Sequence, residues 1–263
     1  MEATSISSSQ PADRPLSDPV AESRRLVEAA GGKGVVARVL GGAAVFLQAP
    51  STGPLLSREV KDIDLATRRG ARTAVTVVLS SAGYEPDQMF NALHGATRLL
   101  FYDEANARKL DVFVGEFSMC HQVPIAERLE REPVTIPLAE LMLTKLQIVN
   151  LTERDQRDVY NLVYHHPVTN GDGSGIEADF IAALCARDWG LWRTTKTTVE
   201  RCQANLPTYG LAADDAELIG GRLRSLWQRI EAEPKSGRWR MRSRIGDRVR
   251  WYDEPEEHAA EDH

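Results

Sequence analysis

A glycine pair followed by three acids set in two apolar runs constrains this chain more than anything else in it. Gly41-Gly42 comes first, then Lys61-Asp62-Ile63-Asp64-Leu65, then Lys109-Leu110-Asp111-Val112-Phe113. In a strand, residues i and i+2 share a face, so Asp62 and Asp64 are expected to project together while Ile63 and Leu65 turn into the core. Two carboxylates side by side repel unless a cation lies between them. Mg²⁺, or Mn²⁺ with the same preference for hard oxygen donors, answers that need, since it is held by one or two carboxylates plus substrate phosphates. Asp111, in the apolar run from Leu110 to Val114, is expected on a neighbouring strand. It would complete a set of three carboxylates suited to two-metal, in-line phosphoryl or nucleotidyl transfer.

The glycine pair supplies the other half of such a site. Val35 to Leu40 has the character of a strand and Ala43 to Gln48 that of a helix start, so Gly41-Gly42 marks a tight strand-to-helix turn. Backbone amides at a helix N-terminus cradle phosphate, and glycine lets it approach closely. The ligand implied is a nucleoside triphosphate. Gly-Gly alone and Asp-x-Asp alone are weak signals; their order along the chain, with the third strand acid behind them, is much stronger.

These residues, with Leu40 and Ala43 beside the glycines, resemble the nucleotidyltransferase superfamily that includes DNA polymerase β. Two later segments extend the resemblance: Glu140-Leu141-Met142-Leu143-Thr144-Lys145-Leu146, and Arg154 to Leu162. Together they are most similar to the bacterial branch containing AbiEii-type toxins and related nucleotidyltransferases, whose pattern carries a lysine in the first late helix and a basic-Asp pair in the second. Lys145 and Asp158 fall at those positions. The resemblance covers roughly residues 25 to 166. Nineteen residues, Ala43 to Lys61, separate Gly42 from Asp62, so the loop at 49–54 is longer than the usual pattern. Asn161 stands where that pattern carries another aspartate.

What the resemblance implies is a small mixed sheet flanked by helices and a magnesium-dependent enzyme. In that reading Asp62, Asp64 and Asp111 bind metal and carry catalysis, while Gly41, Gly42, Lys145 and Asp158 serve the triphosphate. The acceptor hydroxyl would belong to RNA, a protein or a small molecule, and a toxin-type member would have an antitoxin partner. A contrasting reading keeps the fold but uses it only for binding.

Composition narrows the setting. The chain has 263 residues, 42% hydrophobic and 27% charged, ordinary values for a globular protein able to bury a sizeable core. No apolar run approaches the roughly 20 residues of a membrane helix, and Met1 to Val20 lacks the basic-then-apolar order of a signal peptide, so a cytoplasmic protein is expected. Cys120, Cys185 and Cys202 are far apart and form no zinc or disulfide pattern. The net charge of −6 argues against a wholly basic nucleic-acid-binding surface and leaves room for a local patch.

Along the chain, the expected order is a disordered tail over 1–19, an α/β unit over 20–169, a helical region over 170–234, a basic element over 235–252 and an acidic tail over 253–263. The glycines at 171, 173 and 175 mark the main internal boundary. Between Lys235 and Arg250 seven basic residues face one acid, Asp247. Arg238, Arg240, Arg242 and Arg244 alternate with Trp239, Met241, Ser243 and Ile245, a period-two pattern that predicts a hairpin turning at Gly246-Asp247.

Plainer readings stand beside each functional one. Lys145 is equally at home as a snorkelling surface lysine. Asp158 lies in a run of alternating charge that commonly means an ion-paired helix face. His165-His166 fits a helix terminus, and Trp189 with Trp192 fits core packing better than base stacking. The arginines would pair with the acidic tail at least as readily as with RNA.

Overall fold

A computed structural model describes residues 14–49, 59–171 and 173–254. The loop at 50–54, most of the expected N-terminal tail and the acidic tail beyond Glu254 lie outside the described residues.

The first helix, α1 (Pro19–Gly32), starts where Asp18 accepts a hydrogen bond from the Ala21 amide and proline occupies the first turn. It leads into β1 (Ala37–Leu40), α2 (Gly41–Gln48), β2 (Ile63–Thr67), α3 (Arg72–Ser81), β3 (Glu85–Pro86), α4 (Gln88–His94), β4 (Arg98–Asp103) and β5 (Arg108–Val114). The five strands form one sheet in the order β1-β2-β5-β4-β3, with β2 and β5 parallel and the other pairs antiparallel. A small hairpin, β6 (Glu116–Ser118) with β7 (Gln122–Pro124), follows, then α5 (Leu138–Leu146) and α6 (Glu153–His165). The short parallel pair β8 (Val168–Thr169) and β9 (Ile176–Glu177) brackets the glycine-rich turn, and α7 (Ala178–Arg187), α8 (Trp189–Asn205), α9 (Ala213–Ala232) and α10 (Gly237–Ile245) complete the described chain. This is the expected mixed α/β architecture with a helical C-terminal region.

Alternation along the strands decides what each sheet face carries. Ile63, Leu65, Leu99, Phe101, Leu110 and Val112 share one face, and none is more than 1% exposed. The other face holds Asp64, Asp111, Phe113 and Arg98. Buried side chains of α7, α8 and α9, among them Ile181, Val199 and Leu223, join the same continuous core as Val39 and Ile63 of the sheet. Burying apolar area at about 25 cal/mol per Å² makes that shared core the main force holding the late helices to the sheet.

Two expectations about local structure are corrected. The segment Val134 to Ile136, whose β-branched residues read as a short strand in the sequence, makes one isolated bridge, Val39 to Thr135, among the described residues. The arginine-rich segment is the helix α10, not a hairpin. Ser236 caps it by accepting from the Trp239 amide, and Gly246 at φ +62° ends it. Arginine, methionine and tryptophan all tolerate helix, and Trp239 and Arg242, three residues apart, share the face turned toward α8. There Trp239 meets Trp192 edge-on at 5.2 Å and the Arg242 guanidinium lies 4.6 Å from the Trp189 ring centre.

Candidate active site

The glycine pair sits at the end of an outer strand. Leu40 is the register partner of Asp64 across the antiparallel β1–β2 pair, so Gly41, one residue on, arrives beside the Asp64 carboxylate. Gly41 has φ +66°, and a Cβ added there would lie 2.0 Å from Asp64 Oδ2. Only glycine satisfies both the backbone and the space. Among the described residues no side chain caps the N-terminus of the helix α2 that begins here, which leaves its first amides available to donate to a ligand's oxygens.

Asp64 and Asp111 are register partners in the parallel β2–β5 pair, which places both carboxylates on one sheet face. Burial first, and then the negative charge of Asp111, push the Asp64 carboxyl up to about 7, with Asp62 adding to the rise and Lys145 and Arg98 opposing it. Asp62 lies just before β2 and is exposed. The expectation that both acids belong to the strand therefore holds for Asp64, while Asp62 reaches the cluster from the loop entering it.

Asp111 is differently placed. Arg98 Nε donates to its Oδ1 at 2.7 Å and Lys109 Nζ approaches its Oδ2 at 3.3 Å. Arg98 also lies within 5.3 Å of the Phe113 ring centre and 5.9 Å of the Phe90 ring centre. Nothing in the motif spacing points to Arg98. The signal available was its period-two relation to Leu100, the cross-strand partner of Asp111.

Lys145, on α5, reaches the cluster from the late helices. Its Nζ is 2.9 Å from Asp158 Oδ2 and 3.7 Å from Asp155 Oδ1. Asp158 is fully buried on α6 and holds the lysine from that helix. Helix α6 is fixed by a reciprocal cap between Thr152 and Asp155. His166 closes its far end by contacting the Gln48 carbonyl at 3.0 Å, in keeping with a terminus role for the histidine pair.

Among the described residues, no three His, Cys, Asp or Glu side chains already stand in a metal-holding arrangement. The donor chemistry nonetheless fits a divalent cation at Asp62 and Asp64. The Asp64 carboxyl, held near neutrality by burial and by a like charge, makes no hydrogen bond or ion pair among the described residues. Asp111, with one cation on each oxygen, fits a second metal less well until Arg98 and Lys109 move.

Beside the acids a cavity of about 220 Å³ is lined by Phe90, His94, Arg98, Phe113, Met119 and Asp253, among others. Phe113 is two residues from Asp111 on the same face and Arg98 donates to Asp111, so the cavity borders the acid cluster through these two residues.

No protein-family profile and no curated protein sequence matches the chain. Among solved structures, the chain is similar to an antigenic nucleotidyltransferase-like protein from Paracoccidioides brasiliensis, at 14% identity and a TM-score of 0.41, over 85% of this chain and 96% of that one. A likeness that distant transfers no residue's role, and the reading of this site stands on its own geometry. Among the described residues no helix is long and apolar enough to cross a membrane.

Proposed function

We propose that the protein transfers a nucleoside monophosphate from a nucleoside triphosphate to an acceptor hydroxyl. One observation carries the reading: a half-buried Asp64 carboxylate, without a partner among the described residues, is wedged against the positive-φ Gly41 at a helix start with no side-chain cap, with Asp111 in register beside it. A glycine turn open to phosphate and a carboxylate lacking a cation are the two halves of a magnesium-nucleotide site.

In this account Asp62 and Asp64 hold Mg²⁺ or Mn²⁺, which supplies Lewis-acid stabilisation of the phosphates when bound. The amides at Gly41 and Gly42 receive phosphate oxygens. Lys145, oriented by Asp158, faces the charge that builds on the leaving pyrophosphate. Asp111 takes the proton from the acceptor hydroxyl as its oxygen bonds to the α-phosphorus and the bond to pyrophosphate breaks. For that step Arg98 must release Asp111, and the adjoining cavity is where the acceptor enters. Incubating the protein with α-labelled nucleotides, Mg²⁺ and a cell extract tests the proposal: a labelled product is expected from the parent and none from Asp64→Asn.

A second reading is favoured by the Asp111 contacts alone. With both oxygens engaged by cations, the acid could serve structure, and the fold would then act as a binding module, such as one half of a toxin-antitoxin pair. Unlabelled extracts together with unchanged nucleotide binding in Asp111→Asn would favour it.

A further inference from the structure

A second cavity lies between α7, α8 and α10. It encloses about 450 Å³, and its walls include Arg187, Trp189, Arg238, Trp239, Arg242 and Trp251. Three guanidinium groups and three indoles thus meet at one opening. Asp188 is the opposing charge in this lining, and it already accepts from the Gly190 and Leu191 amides as the cap of α8. Arg242 is committed as well, donating to the Gly246 and Val249 carbonyls while it stacks on Trp189. Arg187 and Arg238 are different. Neither makes a hydrogen bond or ion pair among the described residues, and two unpartnered cations on one cavity favour an anion between them.

The indoles add a second preference. Trp189 and Trp251 meet edge-on at 6.0 Å, and the Nε1 of Trp239 is a buried donor without a partner. Phosphate for the arginines combined with a flat ring for the indoles is the chemistry of a nucleotide unit, and base stacking on aromatic rings beside a basic groove is how single strands are held without sequence readout.

Position supplies the connection to the active site. Trp251 walls this cavity, whereas Asp253 and Glu254 wall the cavity beside Arg98 and Phe113. Two residues of extended chain span at most about 7 Å, a distance covered by about two stacked nucleotides. The geometry points to this cavity as a subsite for one nucleotide of a single-stranded RNA whose terminal hydroxyl enters the active site; the acceptor role, though not the binding, rests on the nucleotidyl-transfer reading. Asp253 and Glu254 set a limit on the path, since they add negative charge at its near end. Glu254 is already paired with Arg250 at 2.9 Å.

The test is fluorescence anisotropy of an end-labelled, mixed-sequence single-stranded RNA octamer with the full chain, titrated in salt. Arg187→Gln/Arg238→Gln should weaken binding at least about tenfold and lower the log–log salt slope by about 0.7, the share of the one phosphate held between the two arginines on a single strand. Quenching of tryptophan emission by the RNA should weaken in parallel. Asp62→Asn/Asp64→Asn should bind RNA like the parent while losing magnesium-dependent nucleotide binding. RNA affinity unchanged by the double arginine substitution, or no RNA binding by a parent that still binds magnesium-nucleotide, would overturn this inference and leave the transfer reading standing. A synthetic peptide of residues 255–263 displacing the octamer at lower concentration than unlabelled RNA would also overturn it, by giving the cavity to the chain's own acidic tail.

Discussion

Asp64 occupies the space that a side chain at residue 41 would need, its Oδ2 standing 2.0 Å from where a Gly41 Cβ would be. The glycine and the acid are therefore one feature. Gly41→Ala should cost more than about 2 kcal/mol, the left-handed backbone and the collision acting together. Gly34→Ala is the control, because Gly34 has φ +71° with nothing within 4 Å of its Cβ position. It should cost only about 1 kcal/mol. Equal losses in denaturant unfolding would show that Asp64 does not depend on the turn.

The second expectation concerns pH. A carboxyl that titrates near 7 is ionised to roughly a tenth at pH 6 and nine tenths at pH 8, so magnesium-nucleotide affinity should rise about ninefold across that interval. The nucleotide's own titration is removed by comparison with Asp64→Asn, which should lack the Asp64 contribution. Parallel pH profiles for the two proteins by calorimetry would mean that Asp64 does not hold the cation.

Stability should move the opposite way. Because folding raises the Asp64 carboxyl from 3.8 to about 7, the folded state binds the proton more tightly than the unfolded one. The resulting penalty is absent below about pH 4, grows between pH 4 and 7 and is complete above 7. Asp64→Asn should therefore stabilise the metal-free protein by about 1 to 2 kcal/mol at pH 8 and hardly at all at pH 4, the full shift being discounted for partial exposure. Added Mg²⁺ should stabilise the parent and leave the variant unmoved. A variant less stable than the parent at pH 8 would contradict the burial argument.

Lys145 and Asp158 form the pair that ties the late helices to the site. Lys145→Met removes the cation that lies 2.9 Å from the fully buried Asp158 carboxylate, and roughly 3 kcal/mol should be lost. Lys145→Met/Asp158→Asn should recover most of it without restoring nucleotide affinity. A double variant that regains affinity in a binding titration would remove Lys145 from the phosphate account.

How much of this was legible beforehand differs by element. Most of the longer elements up to α6, namely α1, β1, α2, β2, α3, β4, β5, α5 and α6, follow from apolar spacing, and the face shared by Asp64 and Asp111 follows from strand periodicity once the two strands are taken as neighbours. The cations on Asp111 were not legible, because Arg98 is contributed by cross-strand register and not by any local motif. Helix α10 was misread for a related reason: eight alternating residues satisfy period two, yet the contact that decides the outcome, Trp239 on Trp192, comes from a helix more than 40 residues earlier in the chain. The helix α4, too short to show a period, was missed, although Asp87 accepting from the Phe90 amide is a recognisable cap.

The most direct measurement is calorimetric binding of a nucleoside triphosphate to the parent and to Asp62→Asn/Asp64→Asn, each with Mg²⁺ and with chelator. The account predicts binding by the parent that needs Mg²⁺, and loss of that magnesium-dependent part in the variant while its fold is retained. Equal magnesium-dependent affinity in the two proteins would contradict it.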